Sequence, residues 1–316
     1  MRLVTYERSG SARSGVVADD SVVDLQRAYT RLLAGDGVPA AARRAAALLP
    51  LDLRELLEGG ADSLEAARRV AASAQGDGLA RLREAGAALP LDDVRLAPPV
   101  RRPEKIICLG RNYRAHAEEG GGSVPAAPEL FAVFANTLIG HRAPIVLPRV
   151  STRIDYEAEL AVVIGSRARD VPADRALGHV AGYTILNDVT ARDYQSKTSQ
   201  WFQGKGLDTF SPTGPWLVTA DEVPDPQSLR IRLAIGERVL QDAVTSEMIY
   251  PVAETIAYVS RLMTLEPGDI IATGTPEGVG NARKPPVYLR DGDTVRITID
   301  AIGTLENPVT ATPAAD

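Results

Sequence analysis

A chain of 316 residues and 33.6 kDa, 45% hydrophobic and 24% charged, is long enough for one large core or two domains and too apolar to remain disordered. Its net charge of −6 argues against a nucleic-acid surface, which needs clustered lysine and arginine. Cys108 is the single cysteine, so an internal disulfide and a cysteine-rich zinc site are both excluded.

Residues 2–7, 13–18 and 21–25 read as a β-meander, with turns at Ser9-Gly10 and Asp19-Asp20. The start carries no signal-peptide apolar region and no stretch reaches membrane-span length, so a cytoplasmic, non-membrane protein is expected. From residue 24 to 88 the pattern turns helical and rich in Ala, Leu and Arg, broken at Gly35-Asp36-Gly37 and Gly59-Gly60. The proline-stiffened run 96–103 has linker composition. It predicts a boundary between a small α+β domain over 1–100 and a second domain over 101–316.

The second half is mostly β by its texture, with short strands expected at 106–109, 145–147, 157–165, 180–186, 215–218, 230–235, 270–273 and 294–299. Cys108 falls in the first of these, a buried structural thiol by its surroundings. Helices are expected at 112–119, closed by Gly120-Gly121-Gly122 and suited to move as a lid, and at 252–262. Residues 308–316 read as a frayed tail.

The run Asp155-Tyr156-Glu157-Ala158-Glu159-Leu160 holds a conflict. On a strand Glu157 and Glu159 share a face, with backbones roughly 7 Å apart, and two half-buried anions persist only if protonated, paired with cations or holding a metal. The alternative is an edge strand with both glutamates in water. Asp188, ending the apolar strand 180–186, is a third carboxylate. Three such ligands without His or Cys suit Mg2+, Mn2+ or Ca2+ rather than zinc or copper.

His116 and Glu119, three apart on the expected helix, can touch, and a carboxylate holding an imidazole makes a general base near neutral pH. A surface ion pair is the plainer reading of the two. An iron triad from His116, Glu118 and His179 is disfavoured, because residues two apart diverge on a helix. Lysine is scarce, with Lys105, Lys197, Lys205 and Lys284 only, and Lys205 sits between glycines beside Trp201 and Phe202. From such a turn it can reach a cleft and stabilise an oxyanion or enolate, or remain a solvated loop cation.

The ordered segments Gly110-Arg111-Asn112-Tyr113 with His116, Asp155 to Leu160 as above, Asn187-Asp188-Val189-Thr190-Ala191-Arg192-Asp193, Gly204-Lys205, and Thr273-Gly274-Thr275-Pro276-Glu277-Gly278-Val279-Gly280 resemble the fumarylacetoacetate hydrolase family in its bacterial two-domain form. The resemblance implies an α+β protein whose catalytic domain is a rolled mixed β-sandwich, usually homodimeric. It also implies Mg2+, Mn2+ or Ca2+ on Glu157, Glu159 and Asp188, and His116 with Glu119 as a water-activating dyad. Lys205 is then catalytic, and Arg111, Tyr113, Arg192, Gln195 and Thr275 contact a β-dicarbonyl or 2-oxo acid.

The reaction expected first is hydrolysis of a C–C bond in a 2,4-dioxo acid or related β-diketone through an enolate, and the alternative is decarboxylation or isomerisation on the same site. A non-catalytic metal-binding domain would need neither the dyad nor Lys205. Three departures stand out: Val133 in place of a common lysine, Gly206-Leu207 in place of Ser-Phe, and Gly140-His141-Arg142-Ala143 in place of a Gly-Pro-Gly-Asp-like turn. They predict a shift toward a less anionic or bulkier β-dicarbonyl.

Overall fold

The computed structural model describes residues 1–312, so residues 313–316 of the expected frayed tail lie outside it. In chain order the meander β1 (Arg2–Arg8), β2 (Ser11–Ala18) and β3 (Ser21–Asp24) leads into helices α1 (Leu25–Gly35), α2 (Ala41–Leu48), α3 (Leu53–Glu58), α4 (Gly60–Ser73) and α5 (Asp77–Glu84). Asp24 starts α1 by accepting the Arg27 N–H at 2.9 Å, and Leu25, Ala28, Tyr29 and Leu33 recur at helical spacing on its buried face. Strands β4 (Ala88–Pro90) and β5 (Arg95–Ala97) return to β3 and β1.

The second half runs β6 (Ile106–Gly110), α6 (Arg114–Glu119), β7 (Glu129–Val133), β8 (Leu138–Ile139), β9 (Ile145–Leu147), β10 (Ile154–Asp155), β11 (Ala158–Ile164), α7 (Ala173–Ala176) and β12 (Val180–Asn187). Then follow β13 (Thr190–Ala191), α8 (Arg192–Gln195), α9 (Phe202–Lys205), β14 (Ser211–Thr219), β15 (Arg230–Ile235) and β16 (Arg238–Val244). The chain closes with α10 (Val252–Leu262), β17 (Ile270–Ala272), β18 (Thr294–Ile299) and β19 (Gly303–Ala311). Residues 308–311, expected to fray, are therefore strand, paired with β18 and β9.

One twelve-stranded sheet has the main order β4-β3-β2-β1-β14-β12-β11-β17-β6-β7, and a five-stranded sheet has the order β16-β15-β18-β19-β9. The boundary expected near residue 100 falls between β5 and β6. The large sheet crosses it, because β1 pairs with β14 through Leu3 and Leu217. Strand β11 lies at the centre, between β12 and β17. Its alternation serves two cores: Leu160, Val162 and Ile164 pack with Ile231, Leu233 and Ile297 of the smaller sheet, while Ala161 and Val163 pack with Leu25, Leu56 and Val70 of the N-terminal helices. A strand buried on both faces reads as a continuous apolar run, as β11 does from Leu160 onward. The fold is α+β, and among the described residues no helix is long and apolar enough to cross a membrane.

Candidate active site

The edge-strand reading of Glu157 and Glu159 fails in the structure, because both lie at the N-terminal end of a central strand and are 5% and 1% exposed. Asp188 follows β12, the antiparallel neighbour of β11, and its backbone N–H bonds the Glu157 carbonyl at 2.9 Å. That pairing carries the third carboxylate to the other two. One oxygen of each of Glu157, Glu159 and Asp188 lies within 4.8 Å of the others, all three side chains being buried.

Cations hold part of this cluster. The Lys205 ammonium, 2% exposed, donates to Glu157 Oε2 at 2.9 Å, Asp188 Oδ2 at 2.7 Å and Thr190 Oγ1 at 2.9 Å. Arg192 donates from Nε to Asp155 Oδ2 at 2.8 Å and from Nη1 to Gln195 Oε1 at 3.1 Å, and its Nη2 stands 2.8 Å from Glu157 Oε1. Burial opposes the charge on Glu157, yet Lys205 and Arg192 outweigh it and hold this acid down at about 2. Glu159 is the opposite case. Burial, then Asp188 and Glu157, push it well above the carboxylate range, against one bond from the Gly274 N–H at 2.7 Å. Burial raises Asp188 to about 6, with Lys205 opposing.

A divalent cation fits this donor set. Four buried carboxylates, those of Asp155, Glu157, Glu159 and Asp188, face two cations, Lys205 and Arg192, so with all four ionised the site carries an excess of two negative charges. Asp188 Oδ1 is buried with no hydrogen-bond partner, an orphan acceptor of the kind a cation satisfies. Oxygen-only ligands select Mg2+, Mn2+ or Ca2+.

Beside the cluster, β6 ends at Gly110 and the chain turns through Arg111, whose φ of +49° is left-handed for a residue with a side chain. Asn112 fixes that turn, donating to the Thr273 and Tyr250 carbonyls at 2.8 and 3.1 Å and accepting the Tyr250 N–H at 2.8 Å. Helix α6 then presents the dyad: His116 Nδ1 lies 2.8 Å from Glu119 Oε1, and Glu119 Oε2 accepts the Gly278 N–H at 2.9 Å. Glu119 is thereby held on both oxygens. His116 Nε2 is left as the ring nitrogen free to exchange a proton.

A cavity of about 610 Å³ brings His116, Glu119, Glu157, Lys205 and Thr275 together, with Arg111, Arg192 and Gln195 also on its wall. Arg111 is engaged by Glu129, through Nε to Oε2 at 2.8 Å and through Nη2. Tyr113, expected to contact substrate, does not reach the cavity. It is fully buried at the joint between β6 and α6, bridged to Met248 and packed in the core. Val133 is also in core, packed toward the N-terminal helices and off the wall of this cavity. His179 contacts Ser166 at 3.0 Å, and among the described residues the carboxylate triad is the cluster close enough to hold a metal.

Several supporting residues were invisible to spacing. Gln241 of β16 accepts the Ala158 N–H at 2.9 Å and donates to Thr275 Oγ1 at 2.8 Å, which leaves the Thr275 proton free to donate into the cavity. Asp155 accepts from Arg192 and from the Gly280 and Asn281 N–H groups at 2.7 and 2.8 Å. The motifs quoted both Asp155 and the Gly274 to Gly280 turn, but gave no sign that one holds the other.

The sequence profile of the fumarylacetoacetate (FAA) hydrolase C-terminal family matches residues 105–310. The mitochondrial oxaloacetate tautomerase of Xenopus laevis is 42% identical over 315 residues, which is 98% of this chain and 90% of that protein. Among solved structures, 2-hydroxyhepta-2,4-diene-1,7-dioate isomerase from Mycobacterium marinum is 43% identical at a TM-score of 0.64, over 72% of this chain and 82% of the other. Maleylpyruvate hydrolase from Sphingobium sp. SYK-6, in complex with manganese(II) and pyruvate, is 33% identical at a TM-score of 0.73, over 99% of this chain and 100% of the other.

Proposed function

This chain belongs to the fumarylacetoacetate hydrolase family of enzymes, and on that premise we propose that it interconverts the enol and keto forms of oxaloacetate or a similarly small 2-oxo acid. The observation that carries the reading is a single cavity lined both by Glu157, one member of the carboxylate triad, and by a carboxylate-held imidazole. Similarity over nearly the whole chain to a tautomerase supports this choice of reaction.

Glu157, Glu159 and Asp188 would hold the divalent cation, which supplies the Lewis acidity that polarises a 2-oxo group and stabilises enolate charge. His116 Nε2 accepts the enol hydroxyl proton as the keto form develops, and a proton returned to the adjacent carbon completes the balance. Glu119 keeps the imidazole in that tautomer and stabilises it while protonated. Lys205 and Arg192 keep Glu157 ionised, and the Thr275 hydroxyl donates to a substrate oxygen. Arg111 and Gln195 border the substrate from the wall.

Hydrolysis of a 2,4-dioxo acid is the second reading, favoured by the same held imidazole, which is equally able to take a proton from water. Enol-oxaloacetate, acetylpyruvate and fumarylpyruvate, each offered with Mg2+, separate the outcomes by absorbance and mass. Loss of enol absorbance without a change of mass is expected for oxaloacetate. Water incorporation into the dioxo acids with no effect on the enol would overturn the tautomerase in favour of the hydrolase, and carbon dioxide release would make it a decarboxylase. A homodimer is part of this reading, tested by light scattering on the eluting protein.

A further inference from the structure

Behind the turn that holds Glu119 lies a second cavity, of about 560 Å³, lined by Arg238, Arg283, Lys284, Tyr288 and Arg290 and by one carboxylate, Asp293. Four cations against one acid is unusual for a chain whose net charge is −6. Elsewhere on the five-stranded sheet the exposed arginines have acidic partners: Arg230 pairs with Asp242 at 2.7 Å and Arg296 with Glu306 at 2.5 Å. In this cavity none of the four cations pairs with a carboxylate among the described residues, and Asp293 is spent on the Arg290 backbone N–H at 2.8 Å.

Arg283 is the informative member, because it is half-buried and its donors go to neutral acceptors. Its Nε reaches Tyr156 Oη and the Gly278 carbonyl, both at 3.2 Å, and its Nη2 the Leu240 carbonyl. A guanidinium withdrawn from water without a counter-charge is costly, and an anion in the cavity would supply one. The same peptide segment carries the catalytic geometry. Gly278 has φ +98°, where a Cβ would come within 2.3 Å of the Leu240 oxygen, and its N–H holds Glu119 while its carbonyl accepts from both Arg283 and the Tyr156 hydroxyl.

We propose that this basic cavity is a second ligand site, for a compact polyanion of the carboxylate or phosphate class, whose occupancy is transmitted through Arg283 and Gly278 to the His116–Glu119 pair. An occupant that takes over the Arg283 donors leaves the Gly278 carbonyl to the Tyr156 hydroxyl alone, at 3.2 Å, and loosens the Glu119 anchor. Its effect is on turnover rather than on substrate affinity, since Arg283 does not line the substrate cavity.

The test is calorimetric titration of the metal-loaded, intact protein with tricarballylate and, separately, with inorganic phosphate. A salt-sensitive, saturable site is expected, weakened at least tenfold in a Lys284→Ala/Arg290→Ala double variant of unchanged basal activity. The arm that saturates identifies the source of the anion. In the wild type the bound anion lowers kcat and displaces its pH profile at constant KM, and the double variant shows neither change. Absence of saturable binding by both anions overturns the site, as does binding that survives in the double variant. Binding with kcat and pH profile unmoved overturns the coupling. Because binding is read by heat, these outcomes do not depend on which reaction the enzyme catalyses.

Discussion

Lys205 Nζ stands 2.7 Å from Asp188 Oδ2 in a setting where both side chains are almost fully buried, and the same ammonium reaches Glu157 at 2.9 Å. A lysine with all three protons spent on acceptors in the interior is a counter-ion first. Its presence explains how three carboxylates fold together before any divalent ion arrives. Removing one partner of a buried ion pair leaves the other charge uncompensated, at a cost of about 3–5 kcal/mol. Lys205→Met should therefore lower the melting temperature in EDTA, and saturating Mg2+ or Mn2+ should recover most of the loss by binding the native state. Equal melting of the two proteins in EDTA, or a deficit untouched by metal, would contradict this account.

The dyad gives a prediction that separates chemistry from folding. His116 lies on a short, half-buried helix, so His116→Gln should change stability by no more than about 1 kcal/mol. Loss of a general base lowers kcat by about 10²–10⁴. Glu119→Gln keeps an oxygen for the Gly278 N–H but loses the charge that favours the imidazolium, and a smaller fall in kcat is expected. Steady-state kinetics beside denaturant melts measure both. A kcat within threefold of wild type for His116→Gln would remove this residue from the proton transfer.

The carboxylate triad was legible because strand alternation fixes which way Glu157 and Glu159 point, and because Asp188 closes a neighbouring apolar strand, although alone an Asp there reads as a turn or helix cap. Lys205 was legible through scarcity. What spacing cannot reach is the partner of a partner. Gln241 meets Ala158 across 83 residues of chain, Asp155 meets Gly280 across 125, and Arg111 meets Glu129 on a strand the pattern did not announce. Tyr113 was misread for the related reason that a motif residue beside a site resembles one that faces it, and only packing against Met248 tells them apart. The continuity of the large sheet through β1 and β14 was hidden by the same kind of distance, since 214 residues separate Leu3 from Leu217.

Gly110 and Trp201 give a steric test of the cavity wall. A Cβ on Gly110 would lie 2.1 Å from the Trp201 ring, and Trp201 also packs edge-on against Phe131 with centroids 5.5 Å apart. Gly110→Ala must displace the indole, which lines the cavity, at a cost of about 1–3 kcal/mol. In a Trp216→Phe background, where Trp201 is the remaining indole, its fluorescence should shift and respond less to substrate, with KM raised more than kcat is lowered. An unchanged spectrum and KM would mean that the ring has another place to go.

His141 supplies the pH dependence of stability. Its Nδ1 accepts the Glu306 N–H at 3.1 Å, a bond available only to the unprotonated nitrogen. Burial, and then the neighbouring Arg142, lower this imidazole from 6.5 to about 4 in the fold, with Glu306 opposing. Between those two values the unfolded chain binds a proton that the folded chain refuses. Stability is therefore fully present above about pH 6.5 and declines as the pH falls toward 4. A shift of this size corresponds to about 3 kcal/mol at 1.36 kcal/mol per unit, and solvent screening at this half-buried side chain reduces it to about 1–2 kcal/mol. His141→Asn retains an acceptor near the Nδ1 position and does not titrate. Urea unfolding of both proteins at pH 8 and pH 5 should give similar stabilities at the higher pH and a variant more stable than the wild type at the lower one. Parallel pH curves would show that the Glu306 bond does not hold the imidazole neutral.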